Sequence, residues 1–267
     1  MYFNIMNYSY VSLLANDKYL NGSLVLNYSL QKTNPKYPFL LLISDKDVSD
    51  KTIKTVESHG IKYKIVKKLD NLFRFRRKNF FYSYTHTKLQ IFDQTQFDKI
   101  VYLDSDMLVC KNIDELFNKQ HMSAVPEISK FTKITDYIGS SHFIMNTGLM
   151  VIKPRKPLYN KICKLHDKTK DFSPTDQEVI NRFFPNWKNR KKLHLNRIYN
   201  IYPGLITKAK ELYEYDVIET PNITERELKS DKTIKIVHYV YEKKPWMDFK
   251  FPLNKLWVDF FSEMNSL

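Results

Sequence analysis

The hydrophobic pattern of the first two-thirds of the chain alternates between segments typical of buried strands and segments with helical spacing. Four short apolar runs predict strands, at 10–15, 39–43, 61–66 and 99–103. Apolar residues recur at helical spacing in three segments between them, at 20–31, 48–58 and 87–92. Gly60 supplies a stop for the second helix. This order favours an α/β fold, with a mainly parallel sheet covered by helices on both faces.

A polar tripeptide interrupts a long apolar segment in the second half. Residues 143–152 are apolar apart from Asn146, Thr147 and Gly148. A glycine inside a strand pattern indicates a bulge or a close approach of another group to the backbone. We expect the Asn146 amide to hydrogen-bond a sugar hydroxyl there.

Two later segments carry further candidate polar groups. Residues 179–184 have helical spacing and follow Asp176, although an acid at a helix start is most often a cap. The run 234–238 predicts a strand that ends in His238, and a basic loop follows at 243–246. A single histidine at a strand end is more often structural than a ligand.

An acidic pair follows the strand predicted at 99–103. Asp104 and Asp106 flank Ser105, and side chains two residues apart point the same way along a strand. Open α/β sheets bind ligands at the carboxyl ends of their strands, and paired carboxylates suit Mg²⁺ or Mn²⁺. The alternative is a strand-end turn, where Asp and Ser are common.

Length and composition favour an intracellular globular protein. The chain has 267 residues, of which 43% are hydrophobic, which suits one large α/β domain or a domain with an appendage. The two cysteines, Cys110 and Cys163, have neither metal-site spacing nor disulfide density, so we expect a reducing compartment. Residues 1–16 do not resemble a signal peptide, and no apolar run approaches the roughly 18 residues of a membrane span. We therefore expect a soluble cytoplasmic protein without a membrane span.

The charge balance favours anionic ligands. The formal net charge is +14, so the surface attracts nucleotides, nucleic acid, acidic glycans or membrane headgroups. The aromatic residues do not form an RNA-binding pattern, and no helix-turn-helix or zinc motif occurs, so nucleic acid is the less favoured partner. The sequence contains only five glycines and no Gly-x-Gly-x-x-Gly loop. The charge of bound phosphates would therefore have to be neutralised by something other than a glycine-rich loop.

The motifs taken together resemble glycosyltransferase family 8, the retaining, glycogenin-like enzymes that use nucleotide sugars. The resemblance runs from about residue 8 to residue 246, and its parts occur in the family's order. They are the segments 10–19, 22–26, 87–89, 102–106, 146–148, 176–177 and 238–246. One departure is Tyr241, which stands where the family usually has glycine.

The resemblance implies a fold and a set of site residues. It implies a single GT-A type, Rossmann-like domain over 1–267, with a nucleotide-binding half at 1–110 and an acceptor- and sugar-binding half at 111–267. Its metal, Mn²⁺ or Mg²⁺, would be held by Asp104, Asp106 and His238. The catalytic residues implied are Asp176, Gln177 and Lys88. The other implied contacts to the donor come from Leu13, Ala15, Asn16, Tyr19, Ser105, Asn146, Thr147, Gly148, Tyr241 and Lys244.

The implied activity is transfer of a hexose from a UDP-sugar to a glycan or protein hydroxyl, with retention at the anomeric carbon. Glucose is the first choice of donor sugar and galactose the second. A competing hypothesis is self-glucosylation at Tyr199, which falls where glycogenins carry their acceptor tyrosine. The less favoured hypotheses are that the chain binds nucleic acid through its basic surface or that it is an inactive scaffold. The sequence does not determine the oligomeric state, and a homodimer is one candidate.

Overall fold

The computed structural model describes residues 6–70, 84–127, 143–171, 175–203, 234–240, 243–247 and 253–266. The strands in these ranges are β1 (Tyr8–Leu14), β2 (Phe39–Ser44), β3 (Tyr63–Val66), β4 (Lys99–Leu103), β5 (Met107–Val109), β6 (Ser123–Pro126), β7 (Met145–Ile152) and β8 (Ile236–His238). The α-helices are α1 (Leu20–Gln31), α2 (Asp50–Ser58), α3 (Lys156–Thr169), α4 (Asp176–Phe183) and α5 (Asn254–Met264). Short 3₁₀ helices include Thr85–Asp93 and Arg197–Tyr199.

Six strands form the central sheet in the order β3-β2-β1-β4-β7-β6. The strands β3, β2, β1 and β4 are mutually parallel, whereas β7 runs antiparallel to both β4 and β6. This arrangement confirms the predicted α/β class with a mainly parallel, mixed sheet. The carboxyl ends of β1, β2 and β4 therefore meet at one edge, which is where ligands bind in such sheets.

The two faces of the sheet bury separate apolar layers. Along β4, Val101 and Leu103 pack in the layer that contains α1 and α5, while Ile100 and Tyr102 pack in the layer that contains α3 and α4. This division follows from the two-residue period of a strand. Because both faces are covered, the strand is apolar at nearly every position, as parallel sheets require.

A two-stranded ribbon lies beyond the end of β4. The strands β5 and β8 pair antiparallel, with Met107 opposite His238. Because Met107 directly follows the acidic pair, this register brings His238 beside Asp106. A bridge between Ile201 and Val237 ties the segment after the helix Arg197–Tyr199 to the other side of β8.

Local capping explains several element boundaries. Helix α1 has the predicted bounds, and α2 begins at Asp50 because the Ser49 hydroxyl accepts a hydrogen bond from Thr52 N at 3.3 Å. Gly60 follows α2 with φ of +65°, a conformation that glycine adopts without strain. The helix predicted at 87–92 is a 3₁₀ helix. None of the described helices is long and apolar enough to cross a bilayer.

Candidate active site

The acidic pair lies where β4 leaves the sheet. The backbone N–H of Asp104 donates to the carbonyl of Gly148 at 2.8 Å, which holds the end of β4 against β7. The Tyr102 hydroxyl donates to Asp104 Oδ1 at 2.7 Å. The tripeptide of β7 and the acidic pair after β4 are therefore neighbours in the fold, although they are 40 or more positions apart in the sequence.

His238 joins the two aspartates in one cluster. Its Nε2 atom lies 3.1 Å from Asp106 Oδ1 and 3.9 Å from Asp104 Oδ2. One ligand atom from each of the three residues falls within 4.8 Å of the others. Two carboxylates and an imidazole are a donor set that suits Mn²⁺ and accommodates Mg²⁺. The three residues predicted to hold a metal thus converge in an arrangement that fits one.

Lys244 supplies positive charge directly beside this cluster. Its Nζ atom is buried, donates to Asp106 Oδ2 at 2.7 Å and to the Tyr239 carbonyl at 2.8 Å, and lies 5.8 Å from the centre of the Tyr19 ring. Burial alone would raise the pKa of Asp106, but Lys244 and His238 outweigh it and hold that pKa well below its ordinary value. Asp106 is therefore kept ionised, as a metal ligand must be.

Lys88 bridges the acidic pair and the start of α4. Its Nζ atom lies 2.9 Å from Asp104 Oδ1 and 2.9 Å from Asp176 Oδ2. Burial would lower the pKa of Lys88, but the two carboxylates outweigh burial and raise it. Burial raises the pKa of Asp104 above its ordinary value, and Lys88 offsets only part of that effect. The lysine thus stays charged between the half-buried Asp104 and the buried Asp176.

The start of α4 is fixed to β7 by side-chain hydrogen bonds. Thr175 caps the helix by accepting from Glu178 N at 3.3 Å, so Asp176 is not the cap that its position suggested. Instead Asp176 Oδ2 accepts from the Thr147 hydroxyl at 2.8 Å, and Gln177 Oε1 accepts from Thr147 N at 3.1 Å. These bonds bring the predicted sugar-binding and catalytic segments together.

Gly148 permits the closest approach in the site. A Cβ atom built on it would lie 2.4 Å from His238 Cε1. The glycine in the strand pattern therefore marks a close approach, as predicted, and the approaching group is the imidazole.

Three buried polar residues that the sequence pattern left unassigned lie in the same site. Glu127 Oε2 accepts from Asn146 Nδ2 at 2.8 Å and from Gln177 Nε2 at 3.4 Å. The Tyr202 hydroxyl lies 2.7 Å from Asn146 Nδ2. Asn200 connects Asn146 to His238. Glu127 adds another carboxylate beside Asn146 and Gln177, and its place at the end of β6 has no local sequence motif.

The remaining predicted donor contacts lie around the carboxyl end of β1. Leu13 is buried, Ala15 is half-buried, and Asn16 caps the following turn by accepting from Lys18 N at 3.0 Å. Tyr19 contacts the Trp246 ring edge to face at 5.8 Å between centres, next to Lys244. Ser105 lies buried between the two aspartates. Tyr241 lies outside the described residues.

Comparison with known proteins agrees with this arrangement. Residues 10–250 match the family described as glycosyl transferase family 8. The chain belongs to glycosyltransferase family 8.

Curated relatives within family 8 differ in what their names say they do. The chain is 29% identical over 244 residues to glycogenin of Neurospora crassa, covering 89% of this chain and 31% of that protein. It is 28% identical over 243 residues to inositol phosphorylceramide glucuronosyltransferase 1 of Arabidopsis thaliana, covering 89% of this chain and 42% of that protein. This family 8 chain thus spans less than half the length of either relative.

A solved structure gives the same architecture. The galactosyltransferase LgtC, crystallised with donor and acceptor sugar analogues, superposes with a TM-score of 0.66 at 16% identity, covering 96% of this chain and 95% of that one. At this identity the likeness supports the fold, and it agrees with the predicted GT-A type of domain.

Proposed function

We propose that this chain is a metal-dependent retaining hexosyltransferase that takes its sugar from a UDP-sugar and transfers it to a hydroxyl of a separate glycan or protein. The observation that carries the proposal is the cluster of Asp104, Asp106 and His238 with the buried Lys244 beside it. It lies at the sheet edge where β1 and β4 end. That combination suits a diphosphate, whose charge a divalent cation and a lysine neutralise together.

The nucleotide-binding half, 1–110, supplies the two aspartates and Lys88, and the half 111–267 supplies His238 and Lys244. When bound, the metal stabilises the negative charge that develops on the departing nucleoside diphosphate. Lys244 adds a fixed positive charge on the Asp106 side of the cluster. Such preorganised charges act strongly because the site is largely shielded from water, and they need no reorganisation during the reaction.

The sugar-binding side lies between β7 and α4. Glu127 and Gln177 present a carboxylate and an amide, which suit the vicinal hydroxyls of a hexose, while the Asn146 amide is bonded to Glu127, Tyr202, Gly148 and Asn200 and holds these groups in place. Asp176, at the start of α4 and held by Thr147 and Lys88, is proposed to face the reacting carbon. Retention by a covalent intermediate on Asp176 and retention by same-face attack are both compatible with this assignment. Orientation of donor and acceptor supplies much of the remaining rate.

Glucose is the proposed donor sugar and galactose the second choice. The names of the relatives include both a glycogenin and a glucuronosyltransferase, so family membership narrows the donor only to nucleotide sugars. Among the residues that the structure describes, the charged groups on the sugar-binding side are Glu127, Asp176 and Lys88. Two of these three are acids, which favours a neutral hexose over a sugar that carries its own carboxylate.

The contacts of Tyr199 favour a separate acceptor over self-glucosylation. Its hydroxyl donates to Glu115 Oε1 at 2.7 Å, and the residue is only 8% exposed. Lys235 also pairs with Glu115 and lies 5.7 Å from the centre of the Tyr199 ring. The next residue, Asn200, faces Asn146 and His238. The side chains of Tyr199 and Asn200 thus have different surroundings, and the Tyr199 hydroxyl is already hydrogen-bonded to Glu115.

The experiment is to incubate the protein with UDP-glucose and Mn²⁺ and to measure released UDP, with and without a panel of glycan and peptide acceptors. We expect metal-dependent UDP release that an acceptor stimulates. UDP with Mn²⁺ should also raise the melting temperature more than GDP or ADP with Mn²⁺, because only ligands of the folded state stabilise it. Equal stabilisation by all three nucleotides would indicate a general anion site on a basic surface and would contradict the proposal.

A further inference from the structure

A continuous chain of buried polar side chains runs from Glu127 to His238. Asn146 Nδ2 donates to Glu127 Oε2 at 2.8 Å, and Asn200 Nδ2 donates to Asn146 Oδ1 at 3.0 Å. Asn200 Oδ1 lies 2.8 Å from His238 Nδ1. Asn146, Asn200 and His238 are at most 5% exposed. We propose that Asn200 is a positioning residue that fixes the His238 ring with a hydrogen on Nδ1, so that Nε2 is the atom offered to a metal.

The orientation of the first amide is determined at both of its ends. The backbone N–H of Gly148 donates to Asn146 Oδ1 at 2.9 Å, and a backbone N–H can only donate. On the other side, the Asn146 NH₂ group donates to Glu127 Oε2 at 2.8 Å and to the Tyr202 hydroxyl at 2.7 Å. Asn146 is therefore held with its oxygen towards Asn200.

This orientation passes through Asn200 to the histidine. Because the Asn146 oxygen faces Asn200, the atom of Asn200 that meets it must be the NH₂ group. The oxygen of Asn200 then faces His238, so Nδ1 must carry the hydrogen of that bond. A backbone donor and a buried carboxylate thus set the tautomer of an imidazole two side chains away, through bonds that are each between 2.8 and 3.0 Å long.

Without Asn200, the opposite tautomer would be favoured. Asp106 Oδ1 lies 3.1 Å from His238 Nε2, so the carboxylate competes for the ring hydrogen and would draw it to Nε2. A hydrogen on Nε2 occupies the lone pair that a metal needs. Asn200 opposes this by giving Nδ1 an acceptor of its own, which is how outer partners commonly orient histidine ligands.

The backbone around Asn200 makes this position rigid. The N–H of His238 donates to the Ile201 carbonyl at 2.7 Å, and the N–H of Ile201 donates to the Ile236 carbonyl at 3.0 Å. Asn200 therefore lies in a segment that is hydrogen-bonded to the strand carrying His238. Its side chain and the imidazole are held in register by main-chain bonds as well as by their own contact.

The first test is the tautomer itself, measured by long-range ¹H–¹⁵N NMR on metal-free protein with ¹⁵N-labelled histidine rings. A His238→Gln sample assigns the resonance. We expect Nδ1 of His238 to carry a hydrogen in the wild-type protein. In Asn200→Leu, which removes the acceptor at similar size, we expect the hydrogen of the neutral ring to move from Nδ1 to Nε2, whereas Asn200→Asp, which keeps an acceptor, should leave it on Nδ1. An Nδ1 without hydrogen in the wild-type protein overturns the proposal, and this measurement does not depend on the variants folding.

The second test is Mn²⁺ affinity, measured by electron paramagnetic resonance, and it rests on the proposed function. Asn200→Leu should bind Mn²⁺ about tenfold or more weakly, the usual effect of losing an outer partner of a ligand. The matched control is Asn196→Ala, which removes the cap of the same 3₁₀ helix, where Asn196 Oδ1 accepts from Ile198 N at 2.9 Å. It should retain wild-type affinity, and equal losses in both variants would indicate a merely structural role. If the wild-type protein binds no Mn²⁺, the proposed function fails, while the tautomer measurement still decides the role of Asn200.

Discussion

Gly148 and His238 are so close that any side chain at position 148 would collide with the imidazole. A Cβ atom on Gly148 would lie 2.4 Å from Cε1 and 2.9 Å from Nδ1 of His238. Both residues are in strands, so the backbone has little freedom to separate them. Gly148→Ala should therefore displace the ring, lower Mn²⁺ affinity, and cost about 1–3 kcal/mol of stability, as overpacking of a buried site does.

The control for this effect is the same glycine substitution in a His238→Ala background. Removal of the ring leaves room for the added methyl group, so Gly148→Ala should then cost much less stability. Chemical denaturation of the four proteins in this double-mutant cycle gives the coupling between the two positions. Independent, additive effects would contradict the inferred contact.

Lys88 is predicted to favour the ionised form of Asp104, against the effect of burial on that carboxyl. In Lys88→Met, Asp104 and Asp176 lose their shared cation, which should cost about 3–5 kcal/mol at neutral pH, as for a broken buried ion pair. Loss of the lysine raises the folded-state pKa of Asp104 further, and a raised folded pKa means stability that is present at low pH and lost as pH rises. The loss of stability in Lys88→Met should thus be small near pH 4, close to the ordinary Asp pKa, and should reach its full value near pH 7.

Urea denaturation at several pH values measures this deficit. Lys88→Arg is the matched control, since it keeps the charge and should lose less stability at neutral pH. A deficit in Lys88→Met that does not change with pH would mean that packing, rather than charge, explains the role of Lys88 in stability.

The Tyr199 hydroxyl is predicted to serve structure and not to accept sugar. Tyr199→Phe removes its hydrogen bond to Glu115, which should cost about 1 kcal/mol of stability, and should leave transfer to an added acceptor unchanged. Intact-mass spectrometry after incubation with UDP-glucose and Mn²⁺ tests this. Hexose additions on the wild-type protein that disappear in Tyr199→Phe would instead support self-glucosylation.

Local sequence patterns predicted the helices and strands whose apolar residues recur at a regular spacing along the chain. Helix α1 and strand β4 have the predicted bounds, because the positions of their apolar residues are determined by burial in the core alone. The pattern left β5, β6, α3 and α5 unassigned. The strand β5 has only three residues, too few for a periodic pattern, and α3 carries charged residues on its outer face that dilute its apolar stripe.

The residues of the candidate site likewise differ in whether the local sequence pattern could predict them. Asp104 and Asp106 follow a recognisable strand, and His238 ends another, so each was visible locally. Glu127 and Asn200 were not, because their roles come from pairing between distant segments. Glu127 reaches Asn146 only through the antiparallel pairing of β6 with β7, and no spacing rule in one sequence reports such a contact.

Asp104, Asp106 and His238 are proposed to hold a metal on which UDP binding depends. Calorimetric titration of UDP into the wild-type protein, with Mn²⁺ and with EDTA, tests it most directly. The same titration with Mn²⁺ is made on Asp104→Asn/Asp106→Asn and on the control Asp167→Asn/Asp171→Asn, which removes the same charge from exposed positions. Circular dichroism checks that each variant is folded.

We expect UDP to bind the wild-type protein and the Asp167→Asn/Asp171→Asn control with similar affinity in Mn²⁺. We expect binding at least about tenfold weaker in EDTA and in the Asp104/Asp106 variant, since even outer support of a metal is typically worth that much. Equal UDP affinity in all four titrations would show that UDP binding does not depend on a metal held by these three residues.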